Sequence, residues 1–248
     1  MRVEKALVLE KGQGKLDEEG AALVRALPRR GISVELFTEK RLARRQLPLA
    51  RTTIVAGTIP VVESALRQLE VPVPEPDDYP GCLGAFLQRR VWRSTVGALL
   101  RELEEGTLRP VFAKPAGSLK RFTGRIFGGM DDLYALEGAS RRLPIHCSEI
   151  VTFRSEWRAY VVHDRIVGIK CYAGDQNVAV DEVCVRDAVA ALAGAGRARA
   201  GYGIDFGVLA DGRTALVEMN DGYGLGSYAL DPDLYADLLV ARWEELMA

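Results

Sequence analysis

The stretch Gly203-Ile-Asp-Phe-Gly-Val-Leu-Ala-Asp-Gly-Arg-Thr-Ala-Leu-Val-Glu-Met-Asn220 constrains the fold of this chain more than any other. Asp211-Gly212 sits between two β-rich flanks and carries residues that accept the positive φ of a two-residue type I′ turn, so the segment reads as an antiparallel hairpin. Such a turn pairs Ala210 with Arg213 and sets Asp205 directly opposite Glu218. Side chains alternate along a strand, so Asn220 shares the face of Glu218, while Ile204, Phe206, Val208, Ala215, Val217 and Met219 fall on the other. One face is apolar and belongs to a core. The other presents two carboxylates and an amide. Carboxylates facing each other across a strand pair repel unless a cation lies between them. Three hard oxygen donors suit Mg²⁺ or Mn²⁺, above all where phosphates supply further ligands. Asp205, Glu218 and Asn220 are therefore the candidate metal ligands; a solvated outer face with unrelated acids is the alternative.

Around this hairpin the chain divides into two patterns. Up to residue 80, short strands (Ala6–Leu9, Ile32–Phe37, Thr53–Ala56) alternate with helical periodicity (Asp17–Arg30, Val61–Leu69), which implies a small parallel sheet covered by helices. The proline-rich run Pro72–Gly81 reads as a linker, so we expect an N-terminal α/β domain over 1–80 and a second domain over 81–248. Two modest domains suit 248 residues, at about 150 residues per domain. In the second domain Leu83–Leu103 reads as a helix with Arg89, Arg90 and Arg93 in its middle. Strands follow at 110–114, 124–127, 145–151, 157–162, 166–172, 204–209 and 215–219, with helices over 131–140, 181–193 and 232–247. Hairpins interleaved with helices indicate an α+β region.

Composition excludes several classes. A net charge of −1 argues against a protein whose main task is coating nucleic acid, although Lys40, Arg41, Arg44, Arg45 and Arg51 form a local basic cluster that a solvated helix face also explains. No apolar run nears the roughly 18 residues of a membrane span, and Met1-Arg2-Val3-Glu4-Lys5 lacks a signal-peptide layout, so a cytoplasmic protein with no membrane partner is expected. Four scattered cysteines and two histidines make no zinc-site spacing. Lys11-Gly-Gln-Gly-Lys15 follows the first strand but matches neither a Walker loop nor a dinucleotide fingerprint.

Of the 33 basic residues 26 are arginine, so each lysine stands out as a compact point charge chosen over a guanidinium. Lys114 ends the strand 110–114. The loop Ala116–Gly124 behind it offers backbone N–H groups, Lys120 and Thr123, and could close over phosphates. A second hairpin turns at His163-Asp164-Arg165. A three-residue loop there pairs Val162 with Ile166 and places Arg158 opposite Lys170; two facing cations suit an anion between them, whereas a two-residue loop would break that alignment. His163 reads as a turn residue and His146 as structural.

Over roughly Pro110 to Leu230 the chain resembles the ATP-grasp superfamily. The likeness rests on the strand-ending Lys114-Pro115, the glycine loop to Gly124, the segment Ser148-Glu149-Ile150-Val151, the acid Glu156 seven residues after Glu149, Asp205, and the pair Glu218 and Asn220. It implies an ATP-grasp fold of two α+β subdomains enclosing a nucleotide, preceded by a small strand–helix domain. It implies phosphate contacts from Lys114, Lys120, Thr123 and Gly124, adenine contacts from Glu149, Ile150 and Val151, and a ribose contact from Glu156. Arg93 (or Arg90) stands where the family carries a further lysine. ATP and Mg²⁺ are the implied cofactors. The implied reaction joins a carboxylate substrate to an amine acceptor through an acyl phosphate, with Arg158 and Lys170 holding an anion and Tyr223 and Tyr228 near the acceptor. A kinase on the same scaffold, or a nucleotide-binding or RNA-associated module, is the alternative.

Overall fold

The computed structural model describes residues 2–107, 109–117 and 122–248. In its first part β1 (Lys5–Leu9), α1 (Glu18–Ala26), β2 (Ser33–Phe37), α2 (Glu39–Ala43), β3 (Thr53–Ala56) and α3 (Ile59–Gln68) alternate. The three strands form a parallel sheet in the order β2-β1-β3. Asp17 caps α1 by accepting from the Gly20 N–H at 2.9 Å. The helix is shorter than its periodicity suggested: Pro28 converts Leu27–Arg30 into a 3₁₀ turn, closed by Gly31 at φ +75°.

The remainder contains β4 (Val91–Thr95), α4 (Val96–Glu104), β5 (Val111–Pro115), β6 (Arg125–Phe127), β7 (Pro144–Ser148), β8 (Phe153–Val162), β9 (Arg165–Gly174), α5 (Glu182–Gly194), β10 (Gly201–Leu209), β11 (Thr214–Asp221) and α6 (Pro232–Leu246). Two four-stranded antiparallel sheets result, ordered β4-β7-β5-β6 and β11-β10-β8-β9. Leu83–Leu103 is not one helix. It is a 3₁₀ turn over Gly81–Phe86, then β4, then α4, whose start is capped by the Thr95 hydroxyl. Val91, Trp92 and Thr95 favour a strand, and pairing with β7 outweighs the helical spacing of the apolar residues. The helix expected over Asp131–Ser140 is a 3₁₀ stretch, Met130–Leu136.

Each four-stranded sheet has one apolar face under helix. Trp92, Ala113 and Cys147 face α4, and Tyr202, Ile204, Phe206 and Val208 pack with α5 residues such as Val185 and Leu192. The three-stranded sheet shares its core with the opposite end of the chain: Leu7, Leu23 and Leu66 belong to the same buried cluster as Tyr235, Leu239 and Trp243 of α6. Arg30 adds ion pairs to Asp233 and Asp237 of α6. Among the described residues no helix is long and apolar enough to cross a membrane.

Candidate active site

The central hairpin reaches its expected register by an unexpected route. The connection is a three-residue loop, Ala210-Asp211-Gly212, closed between Leu209 and Arg213, with Gly212 at φ +88°. Near the turn this pairs Val208 with Thr214 and Phe206 with Leu216, one residue out of step with the two-residue reading. A bulge at Val217 then restores the step, and Asp205 faces Glu218 as expected. The faces change accordingly. Leu216, not Ala215 or Val217, packs in the apolar cluster with α5, and Ala215, also fully buried, shares the Asp205 face opposite Gly207. Arg89 secures the bulge, donating to the Leu216 and Val217 carbonyls at 2.6 and 3.2 Å.

The second hairpin repeats the device. His163 and Asp164, both at positive φ, form a two-residue turn that pairs Val162 with Arg165. A bulge at Val167 then brings Arg158 opposite Lys170 after all. β8 also pairs with β10, so Asp205, Arg158 and Lys170 form one row across the sheet. The row does not hold two bare cations. The Arg158 guanidinium forks onto Asp205, Nε to Oδ1 and Nη2 to Oδ2 at 2.7 Å each, and both groups are buried. The side chain crosses Gly203, where a Cβ would press on its Cδ and Nε, and it lies over the stacked rings of Tyr172 and Tyr228. Burial pushes the Asp205 carboxyl up to about 6 against the lowering effect of Arg158, so it remains a carboxylate at neutral pH. Lys170 is half-buried and does not line the cleft described next.

Opposite this face stands the polar face of β4-β7-β5, carrying a second row: Arg93, His146 and Lys114. Arg93 is thus a strand residue, aligned with Lys114, and exposed. Lys114 reaches across and pairs with Glu218, and it lies 2.7 Å from Asp78 and above the Tyr79 ring. Burial acts to raise the Glu218 carboxyl, but the Lys114 ammonium and hydrogen bonds from Lys114 and Asn220 leave it below its ordinary value. Between the two faces lies a cleft of about 610 Å³, lined by Phe112, Lys114, Thr123 and Gly124 on one side and by Arg158, Asp205, Glu218 and Asn220 on the other. Gly124 has no room for a side chain, because a Cβ would stand 2.8 Å from the Phe112 ring. Lys120 lies outside the described residues.

Glu149, Ile150 and Val151 follow β7 rather than extending it, and they connect the two sheets. Glu149 is tied to Arg90 twice: its N–H donates to the Arg90 carbonyl at 3.0 Å, and its carboxylate accepts from the Arg90 N–H at 2.9 Å. Glu156 shares the Arg158 face and accepts from the Tyr172 hydroxyl at 2.9 Å. Tyr223 and Tyr228 line the cleft.

The run Pro72–Gly81 is more than a connection. Asp77 pairs with Arg197, the Asp78 carbonyl accepts from the Met219 N–H at 2.9 Å, and Tyr79 packs edge-on against His146. Asp78, Tyr79, His146, Arg89 and Tyr172 are site residues that sequence reasoning missed. Two adjacent acids inside a proline-rich run were the one signal available for Asp78; Tyr172 left none.

Could these residues hold a divalent cation? Asp205, Glu218 and Asn220 are hard donors on one face, and Glu218 already accepts a cation, the Lys114 ammonium. Asn220 Nδ2 donates to Asp205 at 3.2 Å, which leaves its amide oxygen for another partner. Among the described residues no three acidic, histidine or cysteine side chains converge. The set fits Mg²⁺ with phosphate oxygens completing the shell.

Two sheet-bearing units closing on one polar cleft define an ATP-grasp fold, and the chain belongs to the ATP-grasp superfamily. More narrowly, residues 86–238, more than half of the chain, match the ATP-grasp domain of R2K clade family 2. The whole fold is similar to the D-alanine–D-alanine ligase of Bacillus anthracis, at a TM-score of 0.59 and 14% identity over 99% of this chain and 98% of that one. The same ligase complexed with ATP gives 0.57 and 14%, over 99% and 97%. The macrocyclase MdnC of Microcystis aeruginosa, bound with precursor peptide MdnA, gives 0.51 and 12%, over 95% and 99%. No curated protein sequence matches.

Proposed function

We propose that the chain is an ATP-dependent carboxylate–amine ligase that forms an amide or peptide-like bond through an acyl phosphate and releases ADP and phosphate. The observation that carries this reading is the meeting of the Lys114 row and the Asp205–Glu218–Asn220 face across one cleft. Lys114, Thr123 and Gly124, with Lys120 and Arg93, are assigned to the phosphates. Glu149, Ile150 and Val151 are assigned to adenine and Glu156 to ribose. Glu218 and Asn220, with Asp205 beside them, would hold Mg²⁺; Mn²⁺ suits the same donors. Bound there, the metal would neutralise charge on the β- and γ-phosphates.

The chain's own part is to position and to neutralise. A carboxylate oxygen of the acid substrate attacks the γ-phosphorus and ADP leaves. The neutral amine then attacks the carbonyl carbon, phosphate departs carrying that oxygen, and the proton lost from nitrogen passes to the phosphate or to solvent. Arg158 gives Nε and Nη2 to Asp205, which leaves Nη1 for the carboxylate or acyl phosphate. Lys170 contributes positive potential from the same row. A carboxylate nucleophile needs no base, in keeping with the lack of a Ser/His/Asp or Cys/His arrangement among the described residues. The acid and the amine are a small molecule or a peptide.

Titration with a non-hydrolysable ATP analogue and Mg²⁺ tests the site: no heat and no thermal shift at millimolar analogue would refute it. For the chemistry, the carboxylate of a turnover substrate is labelled with ¹⁸O. One labelled oxygen in released phosphate, with ADP and an amide product, is expected. Label retained in a stable phosphorylated product would establish a kinase instead.

A further inference from the structure

Asp78 belongs to neither sheet facing the cleft, yet it touches both. Its carbonyl accepts from the Met219 N–H at 2.9 Å, one residue beyond Glu218 on β11. Its carboxylate Oδ2 lies 2.7 Å from the Lys114 ammonium on β5. We propose that Asp78 is a positioning residue: it keeps Lys114 in the cleft when a nucleotide-bound divalent ion takes Glu218 from it, and so ties nucleotide binding to that ion. This role presupposes the nucleotide site proposed above, and no part of the amide chemistry.

Lys114 meets two demands with one ammonium. It pairs with Glu218 across the cleft, and Glu218 is also a carboxylate placed for a divalent cation. A cation bound at Glu218 displaces Lys114, and a buried ammonium left without a partner is costly. Among the described residues only Glu218 and Asp78 form ion pairs with Lys114. An ammonium has three N–H donors. Asp78 can therefore hold one of them while the others turn from Glu218 to phosphate. The Tyr79 ring, its centroid 4.8 Å from the ammonium, supports Lys114 in either setting.

Asp78 is itself anchored. On one side of it Asp77 pairs with Arg197, and on the other Tyr79 packs edge-on against His146 of β7. Its own carbonyl is bonded to β11 between them. Among the described residues no lysine or arginine other than Lys114 pairs with its carboxylate.

Formal charge supplies the dependence on a divalent ion. Lys114, Glu218 and Asp78 together carry one negative charge in excess, and Arg158 is already forked onto Asp205. Asp78 lines the cleft, so phosphates arriving without a metal ion meet an unneutralised carboxylate and an ammonium engaged elsewhere. Once Glu218 is engaged by a divalent ion, the excess is neutralised and Lys114 is free for phosphate. Ion and nucleotide then strengthen each other's binding by the same factor.

The test measures, by calorimetry on the full chain, affinity for a non-hydrolysable ATP analogue in Mg²⁺ and in EDTA. Asp78→Asn should lower the ratio of the two affinities roughly tenfold or more relative to wild type. Affinity falls in Mg²⁺, where Lys114 is no longer held, and rises in EDTA, where a repelling charge is gone. Asp78→Glu keeps the carboxylate and should retain most of the ratio. A merely structural role would weaken both affinities alike, so an unchanged ratio in folded Asp78→Asn would overturn the proposal. The wild type gives a second check. Mn²⁺, followed by electron paramagnetic resonance, should bind roughly tenfold or more tightly with the analogue than without it, because without phosphate Lys114 must be expelled from Glu218. Equal Mn²⁺ affinities would overturn the exchange whatever the variants do. Wild type that binds no analogue in Mg²⁺ refutes the nucleotide site and the role of Asp78 with it. Wild type that binds it, beside Asp78→Asn with an unaltered ratio, refutes the role of Asp78 alone.

Discussion

Arg158 and Asp205 form a buried ion pair with two parallel hydrogen bonds, and its consequences are asymmetric. Removing one partner strands the other charge, which costs about 3–5 kcal/mol, whereas replacing both with apolar groups is often close to neutral. Arg158→Met is therefore expected to lower urea-unfolding stability by about 3–5 kcal/mol, and Arg158→Met with Asp205→Leu to recover most of that loss. His146 offers a second test at this scale. Burial, against the pull of Asp78, lowers its basicity, so the native state favours the neutral ring. The unfolded chain then takes up protons first as pH falls. The stability contributed by neutral His146 is complete above pH about 6.5 and declines below it, toward the lowered native value. Wild-type melting temperature should drop more between pH 7 and 5.5 than that of His146→Gln; parallel curves would contradict the assignment. The alternation of the hairpin pointed to Asp205, Glu218 and Asn220 as one polar face, but their alignment rests on a bulge that spacing did not reveal. Arg158 as the counter-ion of Asp205 was not legible, because that contact joins strands nearly fifty residues apart.

Turns and bulges decide register at the scale of elements. In each hairpin the turn differs by one residue from its sequence reading, and in each a bulge makes up the difference before the functional row. Turn chemistry is local, so Asp211-Gly212 announced a hairpin. The bulge at Val217 depends on Arg89, more than a hundred residues away, and is invisible in the strand's own sequence. Gly212 occupies the left-handed region and does not line the cleft. Gly212→Ala should lower stability by about 1 kcal/mol, through the strain of a Cβ at positive φ, and leave nucleotide-analogue affinity unchanged. A large loss of affinity would mean that the turn, rather than the bulge, sets the register at Glu218.

The whole molecule is joined by two long-range features. Lys114 on one sheet contacts Glu218 on the other and Asp78 on the run between the N-terminal sheet and the rest. Lys114→Met should weaken ATP-analogue binding roughly tenfold or more, about 1.4 kcal/mol, with the fold retained; unchanged affinity in a folded variant would misplace the phosphate site. The second feature is the core shared by the first 71 residues and α6. Trp243→Ala should cost about 3–5 kcal/mol, and unfolding followed by far-UV signal and by tryptophan fluorescence should give one coincident transition. Two separated transitions would show that the N-terminal sheet folds on its own.

Periodicity, glycine and proline placement and the spacing of acids determined the fold class and most of the cleft's donors, because these are set by neighbours within one element or one turn. Arg93, read as helical, became a strand residue once β7 was there to pair with it, and Pro72–Gly81, read as a linker, became part of the site once Lys114, Met219 and His146 were there to meet it. Those outcomes belong to tertiary structure alone. A polar side chain's partner is chosen by which surfaces burial brings together, and short-range sequence carries no record of that choice.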